Sequence, residues 1–242
     1  MAKLYVIPGH GAGDNGACKN GFKEAERVRA LAQRIKDFGG SDVILSDFDI
    51  DAYKSNIIGK LLIPQGCLVL ELHLDSSTSK TAKGGHVIIH NDFVADKYDN
   101  ALAKMISEMF PGRSQKIVGR TDLANVLRAA NMGYNYRLME CCFISNSDDI
   151  KKFNANIDKL AKEILTCFGI TVKQPTITPK QGTVKVGSKV KVKKGAKSYE
   201  GKTVASFIYN NVYTVDELKG TRAVLDIKGI CTAFKTSDLT VQ

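Results

Sequence analysis

The chain has 242 residues, 43% of them apolar, and 35 Lys and Arg against 25 Asp and Glu. That is long enough for one substantial globular domain and a small second one, and too apolar for wholesale disorder. Its longest apolar stretches, such as Cys67-Leu-Val-Leu-Glu-Leu, are far short of a membrane span.

The N-terminus, Met1-Ala-Lys-Leu-Tyr-Val-Ile-Pro8, reads as a buried strand, with neither a secretory apolar region nor a small-residue cleavage site. The expectation is a protein made in a cytoplasm without a signal peptide. Six cysteines stand at 18, 67, 141, 142, 167 and 231, none in a Cys-x-x-Cys pair. This argues against a thiolate zinc site and a disulfide framework, and for buried free thiols. Cys141 and Cys142, adjacent in a strand, are expected on opposite faces.

Residues 1–170 alternate in the manner of an α/β domain. Strands are predicted over 3–8, 42–45, 67–75, 85–90 and 136–145, and helices over 22–38, 96–110 and 147–168. Strands separated by helices favour a mostly parallel twisted sheet flanked by helices. The last helix opens with Ser147-Asp-Asp, whose side-chain oxygens can cap its first turn.

The first strand runs into Pro8-Gly9-His10-Gly11-Ala12-Gly13-Asp14-Asn15-Gly16. Glycines at a strand end permit tight turns and leave His10 exposed at the carboxyl edge of the sheet, where open α/β folds place their sites. Gly11-x-Gly13-x-x-Gly16 also matches a dinucleotide-binding fingerprint. That fingerprint needs its third glycine inside the helix, however, and Ala17-Cys-Lys-Asn-Gly21 delays the helix here.

In the first helix, Ala25, Val28, Leu31, Ala32 and Ile35 share an apolar arc that includes Glu24, while Glu26 lies opposite. A carboxylate on the buried face needs coordination or a buried salt bridge. In the strand 67–75, Leu68, Leu70, Leu72 and Leu74 take one face and Val69, Glu71, His73 and Asp75 the other. Glu140 is the one acid in an otherwise apolar run, and a paired structural role is its plainer reading. Two imidazoles and one or two carboxylates at strand ends are the nitrogen and oxygen donors that zinc takes, with one position left for water. A further carboxylate can act as base on that water.

The stretch 171–183, with two prolines and no apolar period, reads as a linker. Short β-rich runs follow at 184–192, 203–209, 212–216, 223–227 and 230–234, suggesting a small β-barrel over 184–242. From Thr171 onward there are twelve Lys and one Arg against five acids, a surplus of eight within the net +10 of the whole chain. Such a bias suggests an anionic partner.

These residues resemble the zinc-dependent N-acetylmuramoyl-L-alanine amidases of phage endolysins and bacterial autolysins. The resemblance rests on Pro8-Gly-His10-Gly, Gly21-Phe-Lys-Glu24, Leu72-His73-Leu-Asp75 and Glu140-Cys-Cys-Phe143-Ile-Ser-Asn146, in that order over roughly residues 3–168. It implies that His10, Glu24 and His73 hold Zn2+ and that Glu140 is the catalytic base. The substrate it implies is bacterial peptidoglycan, cut between N-acetylmuramic acid and L-alanine. The chain departs from the family at Ala12, where Gly is common, at Asp75-Ser, where Asn-Ala is common, and at Cys142, where Gly is common.

Residues 184–242 look like a bacterial SH3-type wall-binding module, so the anionic partner is expected to be a cell-wall polymer rather than nucleic acid or a membrane. A phage endolysin, acting on the wall after release from the bacterial cytoplasm, is the simplest expected biology, with a sporulation autolysin freed by mother-cell lysis as the alternative. Two rivals remain: a zinc peptidase cutting within the stem peptide, and a non-catalytic binder of the wall polymer.

Overall fold

A computed structural model describes residues 3–11, 13–60, 62–174 and 184–242. The chain gathers into two compact units, residues 1–175 and 176–242. Of the stretch read as a linker, 175–183 lie outside the described residues. Residues 171–174 are irregular backbone fastened to the first unit, where Lys173 donates to the Phe38 carbonyl (2.8 Å) and its Nζ pairs with Asp42 (2.7 Å).

The first unit runs in order as β1 (Leu4–Pro8), the short strands β2 (Cys18–Lys19) and β3 (Phe22–Lys23), α1 (Glu24–Gly39), β4 (Val43–Leu45), α2 (Ala52–Ser55) and β5 (Leu68–Asp75). It continues as β6 (His86–His90), α3 (Lys97–Met109), β7 (Ile117–Arg120), α4 (Ala124–Asn131), β8 (Asn135–Phe143), α5 (Ser147–Ala155) and α6 (Ile157–Cys167). Six strands form one sheet in the order β4-β1-β5-β8-β6-β7. The first four run parallel, whereas β6 is antiparallel to β8 and carries β7 parallel to itself. The sheet is therefore mixed, and the mostly parallel expectation holds for four of its strands.

Alternation along β5 sets the two layers. Leu68, Leu70, Leu72 and Leu74 join α1, α3 and α6 in one core, with Val28, Leu31, Ile35, Leu102, Ile106, Leu160 and Ile164 packed against them. Val69 joins the opposite core with Tyr5, Ile7, Ile88, Leu138 and residues of α2 and α4. The next residues on that second face of β5 are Glu71, His73 and Asp75. The polar side chains thus line up where the second core gives out, at the carboxyl end of a central strand.

Several elements differ from the sequence reading. The first helix begins at Glu24, because Phe22 and Lys23 pair with Cys18 and Lys19 in a small antiparallel ladder. The last predicted helix is two, α5 and α6, broken at Asn156. Its first turn is capped by Asn146, whose side chain accepts from Asp148 and Asp149 N–H, rather than by Ser147. Between β5 and β8 the register moves from His73 opposite Glu140 to Asp75 opposite Phe143. The extra residue makes a bulge in β8, and such bulges re-aim side chains next to sites. Its consequence is that Cys141 and Cys142 both enter the first core instead of taking opposite faces. The six cysteines are free, but Cys18 and Cys231 are exposed rather than buried.

The second unit is a five-stranded antiparallel sheet. Its elements are β9 (Lys189–Val192), β10 (Val212–Lys219), β11 (Arg222–Leu225), β12 (Thr232–Lys235) and β13 (Leu239–Val241), ordered β12-β11-β10-β9-β13. Val190, Val192, Tyr213, Val215, Leu225, Phe234 and Leu239 form its core. The run 203–209, read as a strand, ends in a 3-10 turn at 206–209, where Ile208 alone is buried.

Candidate metal centre

β1 delivers the first side chain of the site. Gly9 N–H continues the ladder onto the Leu72 carbonyl (2.8 Å), and the chain then turns sharply at His10, whose φ of 65° is left-handed. A non-glycine residue stays in that region only where its surroundings hold it. Here Arg29 on α1 donates to the His10 carbonyl (3.1 Å), and the imidazole sits between two carboxylates. His10 Nε2 lies 3.1 Å from Glu24 Oε1, and Nδ1 lies 3.3 Å from Asp14 Oδ2.

The glycines of this loop make room for imidazoles. A Cβ on Gly9 would come within 2.3 Å of the His73 ring, and one on Gly16 within 2.6 Å of the His10 ring and 2.8 Å of Glu24 Oε2. Of the Gly-x-Gly-x-x-Gly residues only Gly16 lies against a ring, since Gly11 packs on Asp51 and Gly13 faces open space, and the helix starts only at Glu24.

Glu24, the first residue of α1, is 4% exposed. Its Oε1 accepts from Leu74 N–H (3.0 Å) and faces His73 Nδ1 at 2.9 Å, while its Oε2 accepts from Ala17 N–H (3.0 Å). Both imidazoles therefore turn one nitrogen to the same carboxylate oxygen, with the rings edge to face and centroids 5.1 Å apart. One ligand atom from each of His10, Glu24 and His73 lies within 4.8 Å of the others. Two imidazole nitrogens and a carboxylate oxygen are the donor set of a catalytic zinc. The spread is slightly wider than bonds of about 2 Å to one ion require.

Charge follows the geometry. Burial works against the charge on His73, yet Glu24 and Glu71 raise its pKa well above the usual imidazole range. The hydrogen bond to Glu24 raises His10 as well, against burial. Burial would lift Glu24, but hydrogen bonds from both imidazoles outweigh it and hold its carboxyl far below the ordinary range.

Glu140 lies directly across β5 from His73 and across β6 from His86, so all three share one face. Its Oε2 is shielded from solvent and has no hydrogen-bond partner among the described residues. The ion pair that a structural role requires is thus absent among those residues. Burial, opposed by His73 and reinforced by the negative charges of Asp75 and Glu24, raises its pKa to about 8.

The four residues singled out in the sequence converge at one sheet edge, and Glu26 stays outside, paired with Lys23 at 3.5 Å. Asp75, standing where the family commonly has Asn, is met by Arg113, whose Nη2 donates to it (3.1 Å); the same guanidinium donates through Nε to His86 Nδ1 (3.2 Å) and lies over the Phe143 ring, 5.2 Å from its centroid. Arg113 falls between predicted elements and carried no periodic signal. Asn125 and Tyr136, which hold Glu71, were missed as well. Glu71 itself was visible as an acid two residues before His73 on the same strand face.

A family model described as N-acetylmuramoyl-L-alanine amidase matches residues 4–169. The chain is 32% identical over 181 residues to a probable autolysin PH of Staphylococcus aureus (strain NCTC 8325 / PS 47), covering 67% of this chain and 37% of that protein. It is 26% identical over 172 residues to the N-acetylmuramoyl-L-alanine amidase LytC of Bacillus subtilis (strain 168), covering 66% of this chain and 34% of that one. The chain thus spans about a third of the length of these relatives. Among solved structures, the catalytic domain of the CD27L endolysin targeting Clostridia Difficile is similar with a TM-score of 0.56 and 18% identity. That match covers 72% of this chain and 100% of that one, and it is a likeness of fold.

Proposed function

The chain belongs to the N-acetylmuramoyl-L-alanine amidase family, and from that premise we propose that it is a zinc-dependent peptidoglycan hydrolase. Its reaction is cleavage of the amide between N-acetylmuramic acid and L-alanine. The observation that carries this reading is the gathering of one ligand atom each from His10, Glu24 and His73 within 4.8 Å of one another, with Glu140, whose Oε2 has no partner among the described residues, in register beside His73.

His10, Glu24 and His73 would hold the zinc, which when bound polarises the amide carbonyl and makes water a stronger acid, with a pKa near about 7. Glu140, in register beside His73, takes a proton from the attacking water and returns it to the departing amine of L-alanine. A carboxyl whose ordinary value is raised by burial suits both halves of that transfer, because it is neither a negligible base nor a permanently ionised one.

The second unit would act as the SH3-type module that holds the enzyme on an anionic wall polymer through its excess lysines, raising local substrate concentration. Digestion of purified peptidoglycan, with a chelator and after zinc is restored, tests the activity. An amidase exposes new N-terminal L-alanine without new reducing sugar ends, in a zinc-dependent manner. New amino termini other than L-alanine would instead support a stem-peptide peptidase. No zinc and no products would leave a wall binder.

A further inference from the structure

Each imidazole of the site turns one nitrogen to Glu24, which the two rings share, and the other to a carboxylate of its own. His10 turns Nε2 to Glu24 and Nδ1 to Asp14. His73 turns Nδ1 to Glu24 and Nε2 to Glu71, 3.2 Å away. The inward atoms are the pair gathered around Glu24 Oε1, and the outward atoms face acids that take no part in that cluster.

Those outer acids are themselves held. Glu71 is 3% exposed. Its Oε1 accepts from Asn125 Nδ2 (3.0 Å), and its Oε2 accepts from the same amide (3.1 Å) and from Tyr136 OH (2.5 Å). Arg128 on α4 fixes the other end of Asn125 (3.0 Å) and donates to the Tyr53 carbonyl (2.8 Å). Asp14 is more open; its Oδ1 accepts from Gly16 N–H (2.9 Å), and Lys54 Nζ stands 3.8 Å from its Oδ2.

A carboxylate that accepts the outward N–H of a ligating imidazole fixes the tautomer and ring orientation and makes the inward nitrogen a better donor. We propose that Asp14 and Glu71 are the positioning residues of the metal centre, committing His10 to bind through Nε2 and His73 through Nδ1. The two arms differ in rigidity: Glu71 sits in a closed network and Asp14 on a loop.

This inference rests on the zinc reading of the site, and one experiment separates the two. Nitrogen-15 NMR of the zinc-loaded, otherwise unaltered protein, which has four histidines, reports the tautomer of each ring. The expected result is a proton on Nδ1 of His10 and on Nε2 of His73. The reverse tautomer at either ring overturns the assignment for that ring. Competition with a chelator then gives zinc affinity for Glu71→Gln and Asp14→Asn, with the melting temperature of each metal-free variant as a check on folding.

Zinc affinity should fall within the roughly 10–100-fold range typical of such partners, further for Glu71→Gln than for Asp14→Asn. Unchanged affinity in both folded variants overturns the proposal and leaves the zinc reading intact. A wild-type protein that binds no zinc overturns the zinc reading itself. Should Glu71→Gln fail to fold, the tautomers and Asp14→Asn still decide.

Discussion

Glu24 and Glu26 stand two residues apart on α1 and meet opposite environments. Glu24 is buried against two imidazoles, whereas Glu26 is exposed beside Lys23. Glu24→Ala should therefore abolish most zinc binding, and Glu26→Ala should leave zinc content unchanged with stability within about 0.5 kcal/mol. Damage from the second change and not the first would contradict the site. That contrast was legible in the sequence, because helical phase alone puts Glu24 on the apolar arc. The pairing of both imidazoles with one carboxylate oxygen was not legible, since it depends on the left-handed turn at His10 and on the start of α1.

The protonation of those imidazoles gives a second expectation. His10 and His73 have raised pKa values in the metal-free protein, and a ligating imidazole must give up its proton. Zinc binding at neutral pH should release protons, and affinity should weaken as pH falls. Calorimetry in buffers of different ionisation enthalpy checks this, and heats independent of buffer would contradict it.

Glu140 yields a third expectation, again in metal-free protein. Its folded pKa of about 8 lies above the ordinary 4.5, so between those values the folded state holds a proton that the unfolded chain has lost. Stability is then lost as pH rises through that window. Metal-free Glu140→Gln should melt close to wild type near pH 4 and above it at pH 9. Identical melting at pH 9 would mean that the carboxylate is not strained by burial.

At the scale of elements, the loop from Pro8 to Ala17 and the strands β5 and β8 carry the site. Gly9→Ala should push the His73 ring out of place, because the added carbon would sit 2.3 Å from it. The expected outcome is a marked loss of zinc affinity with a smaller change in melting temperature, read by chelator competition and thermal unfolding. Undiminished affinity would show that the ring has another place to go.

The polar face of β5 was legible from strict alternation, which is the period of a strand. The bulge in β8 was not, because a single inserted residue leaves no mark in composition. β7 and α4 were also missed: one is four residues long, and the other carries Asn125 and Arg128 for the Glu71 network rather than a plain apolar stripe. In the second unit the β-branched run 203–209 looked like a strand, but it buries one side chain in a tight turn.

At the scale of the whole molecule, the chain forms two compact units, and the family model covers residues 4–169, within the first. The excess of lysine after residue 171 was plain in the sequence, whereas the strand order of the second unit was not. If those lysines hold a wall polymer, the full chain should sediment with purified cell walls at low salt. It should be released as salt rises, because exposed charges are screened beyond about 10 Å at 0.1 M. Salt-independent attachment would point to a sugar or peptide pocket. The central claim, however, is chemical and concerns Glu140. Its test is turnover on purified peptidoglycan by Glu140→Gln protein carrying one zinc per chain, compared with zinc-loaded wild type. Turnover should fall by at least the roughly 10²–10⁴-fold that general acid–base catalysis supplies; turnover close to wild type in that zinc-loaded variant would contradict the mechanism.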